Sequence, residues 1–348
     1  LCSRIPGKQD GYGNNLYVEE ALQVSNYIRA KDNDAVHPSI LPKDQEDYLV
    51  LAKGDDGGQV DDSHMLQALD DLRSKRDVNF TLLLDGGWST PAYQKQGLIS
   101  LAEKRKDCMA ILSVPMSAEK SSSYMKDVIG YRKKELNANT SYAALYTSHL
   151  EVQDKYNSRR LFVPPDGYVG AVISETAGNE EIWIPPAGAR RGVLQVLDVL
   201  RRYDEGEQSL LYDNNINPID FYPGKGIRIW GQKTLLSRPS SLDRVNVRLL
   251  LITIEPAIAE FLDNFVFETN DPLTRSTAEG GIASYMDNIM ARGGVYNFAV
   301  KCDKENNPDE VIDRNEMNVW LFVQPIQAAE FIKFTTIITR TGASFTVG

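Results

Sequence analysis

Cysteine is scarce in this chain: Cys2, Cys108 and Cys302 are the only three in 348 residues, and no two stand at C-x-x-C spacing. The three histidines, His37, His64 and His149, do not cluster with them, so zinc is not expected. Free, buried thiols in a reducing compartment are expected instead of disulfides. Positive charge is also short. With 38 Lys and Arg against 48 Asp and Glu, the net charge is −10. A protein that grips phosphates needs a basic surplus, so nucleic acid is not expected as a direct partner. Long hydrophobic runs are missing as well. The stretch Leu249–Ile254 is interrupted by Thr253 and followed by Glu255, so no membrane insertion is expected. Neither an internal repeat nor a low-complexity linker is present. The chain begins at Leu1 instead of Met and shows no signal peptide. The expectation is a trimmed fragment that lacks an N-terminal portion and is monomeric or weakly associating.

The usual signatures of catalysis are missing too. Gly231-Gln232-Lys233-Thr234 has the ending of a phosphate-binding loop, but lacks the glycine directly before the lysine and the earlier one. Gly224-Lys225-Gly226 lacks the third glycine of a dinucleotide fingerprint and reads as a tight turn needing positive φ. No Gly-x-Ser-x-Gly elbow exists. The three histidines are expected on a surface or helix face, and Asp55, Asp56, Asp61 and Asp62 do not follow calcium-loop spacing and read as a solvated acidic loop. The chain is not expected to be an enzyme, and neither a cofactor nor a metal is expected.

What is present is alternation. Tyr48–Ala52, Phe80–Leu84, Cys108–Val114 and Tyr142–Tyr146 are short apolar runs that predict strands. Between them lie helical patterns: Ser63–Lys75 with Met65, Leu66, Leu69 and Leu72 on one side, a helix opened by Thr90-Pro91 and running to about Lys106, and Ser117–Asn137. Strands alternating with helices predict parallel β-α-β units in an α/β domain. Ahead of it, the amphipathic segment Tyr17–Arg29 has no clear place.

Beyond Gly226 the pattern changes. Arg244–Phe261, with Pro256 inside it, and Leu273–Met290, opened by Asn270-Asp271-Pro272, predict two helices. Tyr296–Cys302, Glu316–Gln324 and Glu330–Arg340 follow as strands, joined by a turn at Lys304–Pro308. The alternation of Val319, Leu321 and Val323 predicts a half-exposed antiparallel face. The domains expected are therefore an N-terminal remnant (1–39), an α/β domain (40–225) and a smaller α+β domain (226–348).

Several segments resemble one known family, and they occur in its order. They are Trp183-Ile184-Pro185-Pro186-Ala187-Gly188, Ile216-Asn217-Pro218-Ile219, Pro223-Gly224-Lys225-Gly226, Ile229–Leu235, Arg244–Leu250, Phe267-Glu268-Thr269-Asn270-Asp271, Tyr296-Asn297-Phe298, Val311-Ile312-Asp313 and Asn315-Glu316. Each is weak alone. Ordered over roughly 180–340, they are similar to the contractile tail sheath proteins of tailed bacteriophages, nearer to the myovirus type than to secretion-system sheaths.

The resemblance implies a non-catalytic α/β domain of subtilisin-like topology followed by an α+β C-terminal sheath domain that faces the tail tube. It also implies a virion subunit, made in the host cytoplasm, that polymerises around the tube and contracts to drive it through the envelope for genome delivery. The partners implied are other copies of the chain, the tail tube protein, and the baseplate and tail terminator proteins. Extended arms lent between neighbours would complete a shared sheet. Candidates for subunit contact are Trp320, Phe322, Phe331 and Phe334, with Arg190, Arg191, Arg201 and Arg202 set against a neighbour's acidic loop. A sheath subunit of a related injection machine, of bacteriocin or secretion-system type, is the alternative, ahead of an α/β enzyme with an unrecognised site.

Overall fold

Strands covered on both faces must be apolar at consecutive positions, and the runs at 82–84, 109–113 and 143–147 meet that demand. A computed structural model describes residues 5–23, 30–31, 58–76 and 78–330, in two units spanning 1–59 and 60–348. In the first unit the Asp10 carboxylate accepts the N–H groups of Tyr12 and Asn14, closing a turn whose arms bridge at Gln9 and Asn15. A one-turn helix, α1 (Val18–Ala21), follows. The strand expected at Tyr48–Ala52 lies outside the described residues.

The second unit starts with α2 (Asp62–Ala68), capped by Asp61, whose side chain accepts the His64 N–H at 3.0 Å, and runs on as a 3-10 turn to Leu72. Next comes β1 (Leu82–Leu84), then a helix widened to π geometry over Tyr93–Ile99 and ending as α3 (Ser100–Arg105). β2 (Met109–Ser113), α4 (Met116–Lys120), α5 (Tyr124–Gly130, with a π-helical continuation Tyr131–Leu136) and β3 (Ala143–Thr147) follow. The single helix expected over 117–137 is split between α4 and α5. There Ser121 Oγ accepts the Ser123 N–H at 3.1 Å, so a side chain takes the place of a helical carbonyl.

A hairpin of β4 (Leu150–Asp154) and β5 (Arg159–Val163) leads to α6 (Asp166–Asn179), α7 (Gly188–Arg191), β6 (Val193–Leu194) and β7 (Asp198–Val199). Then come α8 (Glu205–Asp213), β8 (Ile216–Tyr222) and β9 (Gly226–Ile229). The β8–β9 turn holds Gly224 at φ 71° and Gly226 at φ 80°, the left-handed geometry expected of these glycines. The chain continues as α9 (Val245–Asp263), α10 (Pro272–Ala291), β10 (Val295–Lys301), α11 (Asp309–Ile312) and β11 (Trp320–Pro325).

The main sheet has the order β1-β2-β3-β8-β9-β6. Its first four strands are parallel, and β9 and β6 are antiparallel additions. Successive residues of β2 and β3 supply opposite cores. Ala110, Leu112, Ala143 and Leu145 face the layer built from residues 65–136 and α8. Met109, Ile111, Ala144 and Tyr146 face α6 and the first turns of α9. A third core joins Leu250 and Ile254 of α9 to Ile282, Met286 and Ile289 of α10, with Trp183 between them. Each such side chain stabilises the fold by about 1.5–3 kcal/mol on burial.

Candidate subunit interface

Alternation in β11 sorts its residues by face. Leu321 and Val323 turn inward with Phe298 and Val300 of β10, onto Ile282 and Met286. Trp320 and Phe322 turn outward and are 49% and 55% exposed. Their rings meet edge to face, with centroids 6.4 Å apart. Antiparallel pairing sets Phe322 opposite Ala299 and Trp320 opposite Lys301, and a bulge between Val295 and Asn297 leaves Tyr296 73% exposed. Among the described residues β10 and β11 pair only with each other, and of the strand expected over Glu330–Arg340 all but Glu330 lies outside the described residues.

Two asparagines preorganise this hairpin. Asn306 Nδ2 donates to the carbonyls of Lys301 (2.7 Å) and Asn318 (3.0 Å), while Asn307 Oδ1 accepts the Asn318 N–H at 2.6 Å. Both are buried, so these bonds replace water that cannot reach them. The sequence marks them only as part of the turn before Pro308.

The expected charged contacts are largely used within the chain. Arg191 forms a two-point bond to Glu180 (2.8 and 2.6 Å), which holds that carboxyl below its ordinary range. Arg201 donates to the carbonyls of Glu119 and Ser121, and Arg202 pairs with Asp198. Arg190 is exposed. Phe331 and Phe334 lie outside the described residues.

Beyond β11 the chain returns to the joint between the helices and the main sheet. Gln327 and Ala328 lie along Trp183, Pro185 and Asn246. The Glu330 carboxylate then accepts from Tyr212 Oη (2.8 Å), Gln232 Nε2 (3.1 Å) and Arg244 Nε (2.6 Å). A cleft of about 420 Å³ opens beside it, lined by Pro185, Tyr212, Tyr222, Trp230, Ala328 and Glu330. Lys233, the lysine of the loop-like motif, donates to the Tyr212 carbonyl and lies 4.1 Å from its ring. Its backbone N–H and carbonyl both bond to the Asn217 side chain. A Cβ on Gly231 would come within 2.7 Å of Asn217 Oδ1. These residues shape a joint.

Two buried polar clusters sit elsewhere in the sheet. Glu119 accepts from Thr147 Oγ1 and the His149 N–H and lies 2.9 Å from His149 Nδ1. His149 is thus in the interior, against the expectation of a surface histidine, because a buried carboxylate offers it a partner. His64 is the N3 residue of α2, and His37 lies outside the described residues. At the carboxyl ends of β1 and β2, Asp85 accepts from Ser89, Gln94 and the Ser113 N–H, while Asp166 accepts from Ser113 Oγ and the Gly86 N–H. Ser113 therefore donates to a carboxylate and, among the described residues, has no histidine base. Against the expectation of a solvated acidic loop, Asp61 caps α2 and Asp62, its first residue, accepts from Trp88 Nε1 and Thr90 Oγ1, because a helix start and an indole N–H each offer a carboxylate a partner; Asp55 and Asp56 lie outside the described residues. Cys108 and Cys302 are buried free thiols, and burial pushes Cys108 up to about 12. Among the described residues no group of three acidic, His or Cys side chains could hold a metal, and no helix is long and apolar enough to cross a membrane.

Comparison with known proteins matches two family models. Residues 59–235 match the phage tail sheath protein central domain, and residues 237–339 match the phage tail sheath C-terminal domain. The chain is 29% identical to the tail sheath protein of Vibrio phage KVP40 over 99% of its own length and 54% of that protein's. It is 28% identical to the tail sheath protein of Enterobacteria phage T4, with the same coverage of 99% and 54%. The chain thus spans about half the length of these curated relatives. Its fold is similar to the helical sheath of the anti-feeding prophage in the contracted state, with a TM-score of 0.64 at 23% identity, covering 80% of this chain and 76% of that one.

Proposed function

The chain belongs to the phage tail sheath protein family, and from that premise we propose that it is a structural subunit of a contractile tail sheath. Copies of it polymerise around a tail tube and contract to drive the tube through the host envelope. The observation that carries this reading is the β10–β11 hairpin. It lies in the matched C-terminal domain, pairs among the described residues only within itself, and carries an exposed Trp320–Phe322 pair. A strand lent by another copy would fill an edge with main-chain hydrogen bonds that persist while the subunits rotate. Covering each aromatic would contribute about 2 kcal/mol.

Beyond self-association, the proposed partners are the tail tube, baseplate and tail terminator proteins, in a virion assembled in the host cytoplasm. The α/β layers are proposed to follow subtilisin-like topology without its catalysis, because the buried Asp85 and Ser113 are engaged by structural hydrogen bonds. The domain hand-over is proposed to run from the expected boundary at 225/226 to about residue 236. In support, β9 hydrogen-bonds to β8, and the Leu235 N–H donates to the Ala143 carbonyl.

Negative-stain microscopy of the protein expressed from its complete gene tests this. Tubes of regular repeat are expected, and Trp320→Ser with Phe322→Ser should abolish them while changing the melting temperature by only a few degrees. Persistent monomers under conditions that assemble related sheaths would overturn the reading.

A further inference from the structure

Two buried polar atoms beside α9 have no partner among the described residues: the indole Nε1 of Trp183 and the amide Oδ1 of Asn246. Trp183 is 5% exposed and Asn246 4%, so bulk solvent serves neither. Their other contacts fix them in place. Asn246, the second residue of α9, donates Nδ2 to the Trp183 carbonyl at 3.2 Å, which leaves its Oδ1 as an acceptor. Arg292 covers the indole ring while it holds Glu181. Gly294 stands against the same ring, where a Cβ would come within 3.1 Å of Trp183 Cε2, the carbon that carries Nε1.

Both residues line one cavity of about 80 Å³, whose other walls include Ile184, Pro185, Leu250, Gly294 and Ala328. No charged residue is among those that line it, so an ion entering it would lack a counter-charge. An apolar molecule would leave the indole N–H and the amide oxygen unpaired. Water satisfies both, since it accepts and donates, and its share of liquid volume is about 30 Å³. A buried donor and a buried acceptor left unmade cost more than the immobilisation of a water.

We propose that this cavity is a hydration site. Ordered water in it accepts from Trp183 Nε1 and donates to Asn246 Oδ1. It thereby ties the segment before α7 to the first turn of α9 and holds the indole in one orientation between α9 and α10. Trp183 and Asn246 both lie in segments that carry the family resemblance, yet the task assigned to them is internal to one copy. The proposal is independent of the sheath-subunit reading.

Nuclear magnetic resonance of the full chain with isotope-labelled tryptophan tests it. The chain has four tryptophans, so four indole signals are expected, and Trp183→Phe identifies the one concerned. The Trp183 indole proton should show strong cross-relaxation with water, of the sign that a long-lived contact gives. It should also exchange with deuterated solvent more slowly than those of Trp230 and Trp320, which are 45% and 49% exposed. Asn246→Leu, which keeps the branched shape without the oxygen, should lose most of that cross-relaxation. Pressurised xenon, which enters dry apolar cavities, needs only the parent protein and should leave its Trp183 signal unmoved. No water contact at Trp183 in the parent, an undiminished contact in Asn246→Leu, or a saturable xenon shift of the parent's Trp183 signal would each overturn the proposal.

Discussion

Asp85 is the residue whose surroundings conflict most with its charge. Burial, the largest influence, lifts its carboxyl to about 6, and the Asp166 charge adds to the rise against hydrogen bonds from Ser89, Ser113 and Gln94. An acid whose pKa is higher in the fold than in the unfolded chain favours the fold only while it stays protonated. Stability from this group is therefore lost as pH rises from about 4 to about 6, by roughly 3 kcal/mol in all. Asp85→Asn should remove that loss. Urea unfolding at pH 4.5 and 7.5 checks it: the parent should weaken relative to the variant at the higher pH. The turn Asp85-Gly86-Gly87 is visible in the sequence as the end of a strand. The buried carboxylate is not, because its partners Ser113 and Asp166 come from other elements.

At the scale of elements, Gly192 sits where two backbones nearly touch. A Cβ there would lie 2.9 Å from both the Gly188 nitrogen and the Ile229 carbonyl oxygen. The Ile229 N–H also donates to the Gly192 carbonyl at 2.8 Å, beside the β6–β9 pairing. Gly192→Ala should cost about 1–3 kcal/mol and raise amide exchange in β9, as seen by denaturant melts and exchange mass spectrometry. Pro256 lies inside α9 and removes a helical donor, so Pro256→Ala should stabilise the protein by about 1–3 kcal/mol in the same melts.

Three of the four parallel strands, β1 to β3, and the long helices α9 and α10 are legible because apolar periodicity is a local property, whereas β8, with Asn217 and Pro218 inside it, and α6 escape that reading. The outward Trp320 and Phe322 are legible from the alternation around them. The hairpin β4–β5 is not: Glu151, Gln153, Arg159 and Arg160 give it polar positions, and the other neighbour of β4 is β7, a strand from far along the chain. The meeting of three donors at Glu330 is hidden for the same reason. Its four residues are scattered over the chain, and only the fold brings them together.

For the body from residue 60 onward, α9 is shared property. Val245, Leu249 and Ile252 belong to the core under the main sheet, and Leu250 and Ile254 to the core with α10. Trp183 reinforces the union. Its carbonyl accepts from Asn246 Nδ2, and Arg292 lies 5.2 Å from its ring while holding Glu181 with two bonds of 2.7 and 2.6 Å. Calorimetry should therefore show one cooperative transition for this body, with equal calorimetric and van't Hoff enthalpies. Trp183→Ala should lower its stability by about 3–5 kcal/mol and separate the melting of the two cores.

The length of α9 has a mechanical meaning. Its 19 residues make a rod about 28 Å long, rooted in the main sheet and ending near the exposed Val266 and Phe267. If the root tilts by about 10°, the far end travels about 5 Å, which is the spacing between neighbouring strands. A small rotation of the sheet layer would thereby be geared up into a step as long as the distance from one strand to the next.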